Sequence, residues 1–204
     1  MYSTGVNKGK VDKNDATHLL GLPYLDNKEK DVSRFFIKYR KDSVWTIPIV
    51  HRPRNPNLFK KPILLLKNGL GSDFSLIGSI SYRDVVFTTN MLGIKNHQNN
   101  HLLEILLGIL LSKLHTYHLF ISGSSTGIER EQLMFEELYP FPIVLSNEIV
   151  ELTQDLLKLH KEKYSNVNDH LYDSLIENTK TKLNELIYDL YKLNNKNMEI
   201  NMII

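Results

Sequence analysis

Three groups of side chains in this chain have types and spacings that support chemistry. The first is Ser122-Gly123-Ser124-Ser125-Thr126-Gly127-Ile128-Glu129-Arg130. Its two glycines let a backbone approach a partner closely, and its four hydroxyls offer hydrogen bonds to phosphates or base edges. Arg130 adds a forked cation suited to phosphate or guanine. The same residues also read as a helix start, with Ser125 or Thr126 as cap, Glu129 in the first turn, helix over Glu131 to Leu138 and a stop at Pro140.

The second group is the proline-stiffened loop His51-Arg52-Pro53-Arg54-Asn55-Pro56-Asn57-Leu58-Phe59-Lys60-Lys61, which contains no acid. Arg52, Arg54, Lys60 and Lys61, with Lys67 beyond them, are the candidate phosphate contacts. The third group is histidine. His97 and His101 stand at helical spacing and His115 and His118 lie close by, but no acidic third ligand accompanies either pair, so they read as solvated or packed residues and no metal is expected.

Catalytic signatures are absent. The chain has no phosphate loop ending in Lys-Ser or Lys-Thr, no paired-glycine dinucleotide fingerprint and no Gly-x-Ser-x-Gly elbow. Asp26-Asn27-Lys28 has the acid-x-lysine form of a nuclease strand, a tripeptide too common to weigh. Without cysteine there is neither a disulfide framework nor a thiolate zinc site, which suits a reducing cytoplasm.

Charge supports a role in meeting anions. The net charge is +2, but residues 1–72 hold 14 Lys and Arg against 6 Asp and Glu, a net +8, while the remainder holds 11 against 17, a net −6. Such polarisation favours nucleic acid or another anionic partner. Met1 to Lys10 is polar and reads as no signal peptide. Leu102 to Ile121 is interrupted by Glu104, Lys113, His115 and His118, so it reads as a buried helix rather than a membrane span, and no membrane partner is expected.

The elements that would position these groups follow from periodicity. Arg34 to Tyr39 and Val44 to Val50 are β-branched and aromatic and read as a hairpin or two strands on a loop, with Tyr39 and Trp45 packing rather than stacking on a base. Ile63 to Leu66, Ser75 to Ile80 and Val85 to Thr88 read as short strands, with turns at Asn68 to Gly71 and Tyr82 to Asp84. Leu102 to Ile121 is apolar on nearly every face and predicts a helix inside a core. Beyond Pro142, Ile149, Leu152, Leu156 and Leu159, then Leu171, Leu175, Thr179, Leu183, Leu186, Leu190 and Leu193, form an a/d-like seam broken at Tyr164 to Asn168. The fold class is therefore α+β: a short-stranded mixed sheet with a buried central helix, followed by a C-terminal helical hairpin. Two regions are expected, 1–145 for recognition and 146–204 for packing, docking or dimerisation.

Four segments occur in order: Leu103-Glu104-Ile105-Leu106-Leu107-Gly108-Ile109-Leu110-Leu111-Ser112-Lys113-Leu114, Ser124 to Arg130, Pro140-Phe141-Pro142, and Leu183-Asn184-Glu185-Leu186-Ile187-Tyr188-Asp189-Leu190-Tyr191-Lys192-Leu193. Together they resemble the C-terminal target-recognition region of adenine-specific DNA methyltransferases from bacterial restriction-modification systems, the TaqI-like and related fused restriction-methylation enzymes. Phe59 to Leu65 followed by Val85 to Asn90 also resembles that family's strand pair ahead of its helix. The resemblance covers about Phe59 to Leu193 and implies double-stranded DNA as partner, with S-adenosylmethionine bound by a separate methylase domain or subunit and no cofactor in this chain. The family's catalytic tetrapeptide, Asn or Asp before two prolines and an aromatic, is missing, as is its glycine-rich cofactor loop.

The resulting expectation is a cytoplasmic DNA-recognition module, not catalytic alone, that belongs to a site-specific adenine methyltransferase. Its contacts are expected from Arg52, Arg54, Lys60, Lys61, Lys67, Ser124, Ser125, Thr126 and Arg130. Two alternatives stay open. One is a half-subunit of a type I restriction specificity protein that self-associates through the helical hairpin; the other is a protein-interaction scaffold in which the basic loop is merely solvated.

Overall fold

The computed structural model describes residues 1–9, 13–26, 30–96, 101–122, 138, 140–165 and 170–193. Its strands are β1 (Tyr2–Thr4), β2 (Asn14–Asp15), β3 (Val32–Ser33), β4 (Phe36–Ile37), β5 (Ile49–Val50), β6 (Ile63–Lys67), β7 (Gly78–Ser81) and β8 (Met91–Ile94). The helices are α1 (His101–Leu110), α2 (Lys113–Ser122), α3 (Asn147–Ser165) and α4 (His170–Leu190). This is the α+β architecture expected, ending in a helical hairpin.

A four-stranded antiparallel sheet of order β1-β8-β6-β7 divides the molecule. Successive residues of a strand face opposite ways, and β6 is apolar on both faces. Leu64 and Leu66 join Ile80 and Leu92 in a core shared with the helices, whereas Ile63 and Leu65 join Met91, Val50, Phe59, Phe87 and Trp45 in a second core under the N-terminal segments. That second layer is an arc of short pairings: β2 with β5, Asn7 with Arg52, Val6 with Thr88, Tyr24 with Val86 and Pro23 with Val44. Parallel pairing occurs there as two isolated bridges, Val6–Thr88 and Tyr24–Val86.

Several strands differ from expectation. Val85 to Thr88 makes only isolated bridges among the described residues, Val86 to Tyr24 and Thr88 to Val6. The strand lies instead at Met91–Ile94, whose interior Gly93 hides its sequence signal. A Cβ on Gly93 would fall 2.6 Å from the Phe87 ring and 2.8 Å from Ile63, so only glycine admits that contact. The hairpin read across Arg34 to Val50 is shorter: β3 pairs β4 around Arg34-Phe35, and the Val44 to Val50 stretch contributes only β5 and the bridge to Pro23.

The long apolar helix is also two helices, bent by 62°. Buried Ser112 donates to the Ile109 carbonyl at 2.7 Å and accepts from the His115 N–H at 3.2 Å, ending one helix and capping the next. Asn184 of α4 accepts from the Lys113 N–H at 2.8 Å, so the break is fastened to the hairpin. As a result α1 is buried as expected, but α2 is one-sided: His115 and Leu119 face in while Tyr117, Phe120 and Ile121 are exposed.

The hairpin packs on α1 through a close approach at Gly108, where a Cβ would meet Thr153 Oγ1 at 2.5 Å and Ile149 Cγ2 at 2.9 Å. The α3 seam follows the sequence, with Ile149 and Leu156 buried. The α4 seam is rotated: Ile176, Leu183 and Ile187 are buried, whereas Leu171 and Leu175 are exposed. Among the described residues no single helix is long and apolar enough to cross a membrane.

Candidate nucleic-acid interface

The basic loop is held at several points. Asn55 caps a short 3-10 turn over Pro56–Phe59 by accepting from the Asn57 N–H at 2.9 Å, and Leu58 and Phe59 are buried in the second core. Arg52 exchanges both backbone hydrogen bonds with Asn7, each 3.1 Å, leaving its exposed guanidinium with no polar partner among the described residues. Arg54 behaves differently. Its Nε donates to the Gly5 carbonyl at 3.1 Å and its Nη2 to Thr4 Oγ1 at 2.8 Å, while its own backbone sits at φ +68° in the left-handed region. The side chain thus clamps the loop to the end of β1 and stabilises a backbone conformation that a non-glycine residue rarely takes.

The five predicted cations fall at two ends of the sheet. Lys67 closes β6, pairs with Met91 and donates its N–H to the Ile77 carbonyl at 2.8 Å; the Gly5 N–H in turn reaches the Met91 carbonyl at 3.2 Å. Arg52, Arg54 and Lys67 therefore share one end. Lys60 and Lys61 precede β6 at the other, about 20 Å away at about 3.4 Å per residue. There Lys60 Nζ pairs with Asp84 at 2.9 Å and the Lys61 N–H donates to the same carboxylate at 2.9 Å. Burial opposes ionisation of Asp84, but the Lys61 N–H and the Lys60 ammonium outweigh it and hold the carboxyl below its ordinary range. Buried Lys95 donates to the Lys60 carbonyl, and burial lowers the pKa of its ammonium.

The first end gathers more cations than the sequence reading assigned. Lys8, one residue past the Asn7–Arg52 bridge, sits 4.7 Å from the Tyr24 ring centroid and 5.1 Å from that of Trp45, and reaches the Tyr24 hydroxyl at 3.3 Å. Trp45 itself is buried and donates to the Ile47 carbonyl, so it packs rather than stacks, as expected. Lys30 is exposed, with a left-handed backbone at φ +55°. Burial lowers the pKa of Lys67, and the charge of Lys30 lowers it further. Neither Lys8 nor Lys30 was selected by sequence, because each lies between polar residues and carries no motif.

The end of α2 reaches the same region. Phe120 meets Phe74 edge-on at 6.1 Å, and Phe74 belongs to the turn that follows Lys67. Ser122, the last residue of α2, therefore lies beside this end of the sheet. Ser124, Ser125, Thr126 and Arg130, and the helix read over Glu131 to Leu138, lie outside the described residues apart from Leu138. His97 is also outside them. His115 and His118 have ring centroids 6.3 Å apart and both rest edge-on against Phe141, a packed arrangement. Among the described residues no group of three or more His, Asp or Glu is placed to hold a metal ion.

Comparison with known proteins follows from this geometry. No protein-family model matches the chain, and no curated protein matches it. Among solved structures the chain is similar to the Type IIL restriction-modification enzyme MmeI in complex with DNA, at 16% identity and a TM-score of 0.49. The likeness covers 81% of this chain and 21% of that one, so the chain spans about a fifth of the length of the solved structure it matches.

Proposed function

We propose that this chain is the double-stranded DNA recognition module of a restriction-modification adenine methyltransferase and lacks the catalytic domain. The observation that carries the reading is the placement of Arg52 and Lys67 together at one end of the sheet. Arg52 and Lys67 stand at the end of the sheet beside which α2 finishes, and neither has an acidic partner among the described residues. Such a pair suits a polyanion whose charges repeat every few ångströms, and phosphate contacts fix register while other groups read bases. The segment resemblance supplies the second support, since the serine-rich segment from Ser124 to Arg130 follows directly from α2.

In this reading Arg52, Lys67 and the residues Ser124, Ser125, Thr126 and Arg130 contact DNA, and Arg54 holds the loop that presents Arg52. Lys60 and Lys61 stand at the far end, where Asp84 pairs with the Lys60 ammonium and accepts from the Lys61 N–H, and add little to the phosphate contacts. Residues 1–145 form the recognition region, and residues 146–204 dock a methylase domain or subunit that binds S-adenosylmethionine. Any adenine flipping takes place in that partner, because the target amino group lies inside the base stack. The setting is the cytoplasm.

Retention of the purified chain on a randomised duplex pool at about 0.15 M salt, followed by sequencing, tests the proposal. An enriched motif supports a recognition module. Absence of any duplex binding refutes it and favours a protein-interaction scaffold. A type I half-subunit fits the 19-residue α3 and 21-residue α4 as well, and a dimeric mass in solution favours it.

A further inference from the structure

Lys8 is exposed, yet both its backbone and its ammonium are held. On one side Asn7 exchanges two hydrogen bonds with Arg52, each 3.1 Å, and on the other the Gly9 N–H donates to Asn7 Oδ1 at 2.8 Å, closing a turn around Lys8. The ammonium lies 4.7 Å from the Tyr24 ring centroid and 5.1 Å from that of Trp45, and it donates to the Tyr24 hydroxyl at 3.3 Å. The two rings meet edge-on at 5.3 Å. They are fastened from behind. The Tyr24 N–H donates to the Ser43 carbonyl at 2.9 Å, and Ser43 Oγ donates to the Tyr24 carbonyl at 2.7 Å. Buried Trp45 donates its backbone N–H to the Leu22 carbonyl at 2.9 Å and its indole N–H to the Ile47 carbonyl at 2.7 Å. A long side chain seated on such a platform has already lost the rotamer freedom that it would otherwise lose on meeting a partner.

Ring faces attract a cation through their quadrupole but leave its charge uncancelled. Among the described residues Lys8 has no acidic partner, whereas Arg34, Arg40, Lys60, Lys163 and Lys180 each have one. Lys38 and Arg83 also lie over rings, Tyr164 at 5.7 Å and Tyr39 at 4.9 Å, but neither stands next to a residue paired with Arg52. Lys8 does. A paired-residue spacing of about 5.5 Å and one chain step of about 3.8 Å put the Lys8 and Arg52 Cα atoms within about 10 Å of each other. A duplex presents a phosphate every ~3.4 Å of axis along each strand, so two cations this close can each take one. Resting on the DNA reading above, we infer that Lys8 takes one phosphate of the duplex backbone, separate from the one taken by Arg52, and that Tyr24 and Trp45 are the positioning residues that hold its ammonium ready.

The test uses the full chain, with affinity for duplex measured against salt. Lys8→Gln is expected to lose about 0.9 from the slope of log K against log salt, and Lys8→Gln with Arg52→Ala about 1.8, the value for two phosphates. Lys8→Arg keeps the slope, because a guanidinium carries the same charge and also stacks on rings. A loss of only about 0.9 in the double variant means that both cations serve one phosphate and overturns the separate contact. An unchanged slope in Lys8→Gln, with duplex binding by the wild type intact, overturns the contact and leaves the DNA reading standing. A wild type that binds no duplex overturns both. Tyr24→Leu tests the positioning: it keeps the charge but frees it, so affinity falls several-fold, and the same substitution made in Lys8→Gln costs nothing further. Equal losses in the two backgrounds mean that the ring acts on the fold and not through Lys8, which overturns its positioning role. Should Tyr24→Leu fail to fold, the NMR shift of the Lys8 ε-methylene in the wild type decides. Displacement by the ring currents and a further change on adding duplex support the seat, and an undisplaced shift overturns it.

Discussion

If the DNA-facing end of the sheet is the one that carries Arg52, neutralising cations at its two ends must have unequal effects. Arg52→Ala removes an exposed guanidinium with no polar partner among the described residues, so it costs the fold little and costs binding one phosphate contact. A single contact corresponds to about 0.9 in the salt slope, which over a fourfold rise in salt from 50 to 200 mM amounts to about a 3.5-fold difference in how steeply affinity falls. The pair Lys60→Ala, Lys61→Ala removes two formal charges but breaks the Lys60–Asp84 ion pair, leaving on the far side a carboxylate held only by the backbone N–H of residue 61. An exposed pair of this kind contributes at most about 1 kcal/mol to stability, and the salt slope stays within about 0.3 of the wild type. Fluorescence anisotropy with a labelled duplex at four or five salt concentrations measures both. A slope loss of about 1.8 from the lysine pair, with none from Arg52→Ala, would place the interface at the opposite end and refute the reasoning.

Arg54→Ala removes the two hydrogen bonds to Gly5 and Thr4 and leaves a strained left-handed residue unsupported; we expect a loss of about 2 kcal/mol, a fall in melting temperature of about 4–8 °C, and only partial recovery in Arg54→Lys. Gly108→Ala raises intrinsic helix propensity by about 1 kcal/mol, yet its Cβ would strike Thr153 and Ile149, so thermal unfolding should show a net destabilisation of about 1 kcal/mol. Burial, with a smaller contribution from the charge of His118, lowers the pKa of His115 from 6.5 to about 4. The unfolded chain then binds the extra proton first, so stability is full above pH 6.5 and falls as pH drops towards 4, by on the order of 3 kcal/mol from this residue. His160, also lowered to about 4 chiefly by burial, acts in the same direction. Urea titrations at pH 7 and 4.5 should show His115→Leu with the shallower pH dependence, and equal dependence would remove His115 as the cause.

Local pattern was enough for much of the architecture. Ile63 to Leu66 could be read as a strand because a short run of four consecutive apolar residues bounded by a proline and a polar turn is too short for a buried helix. The hairpin of α3 and α4 was legible for a similar reason: leucines spaced by three and four over five turns or more leave little ambiguity of type. The basic loop announced itself by composition.

What the chain alone did not determine were the matters settled by contacts between distant residues. The break at Ser112 depended on a single hydroxyl in an apolar run, and Asn184, 71 residues beyond the Lys113 whose N–H it accepts, helps to fasten it. The exchange of Val85 to Thr88 for Met91–Ile94 as the true strand turned on a glycine that makes room for the Phe87 ring. The rotation of the α4 seam, burying Ile176 in place of Leu175, was set by the surface of α1 and α3 against which it lies. Above all, sequence neighbours in the basic loop were parted. Periodicity reports which face a residue takes within its own element, but charge acts through space: only the registry of β1, β8 and β6 put Arg52 near Lys67, and set Lys60 and Lys61 beside Asp84 at the other end.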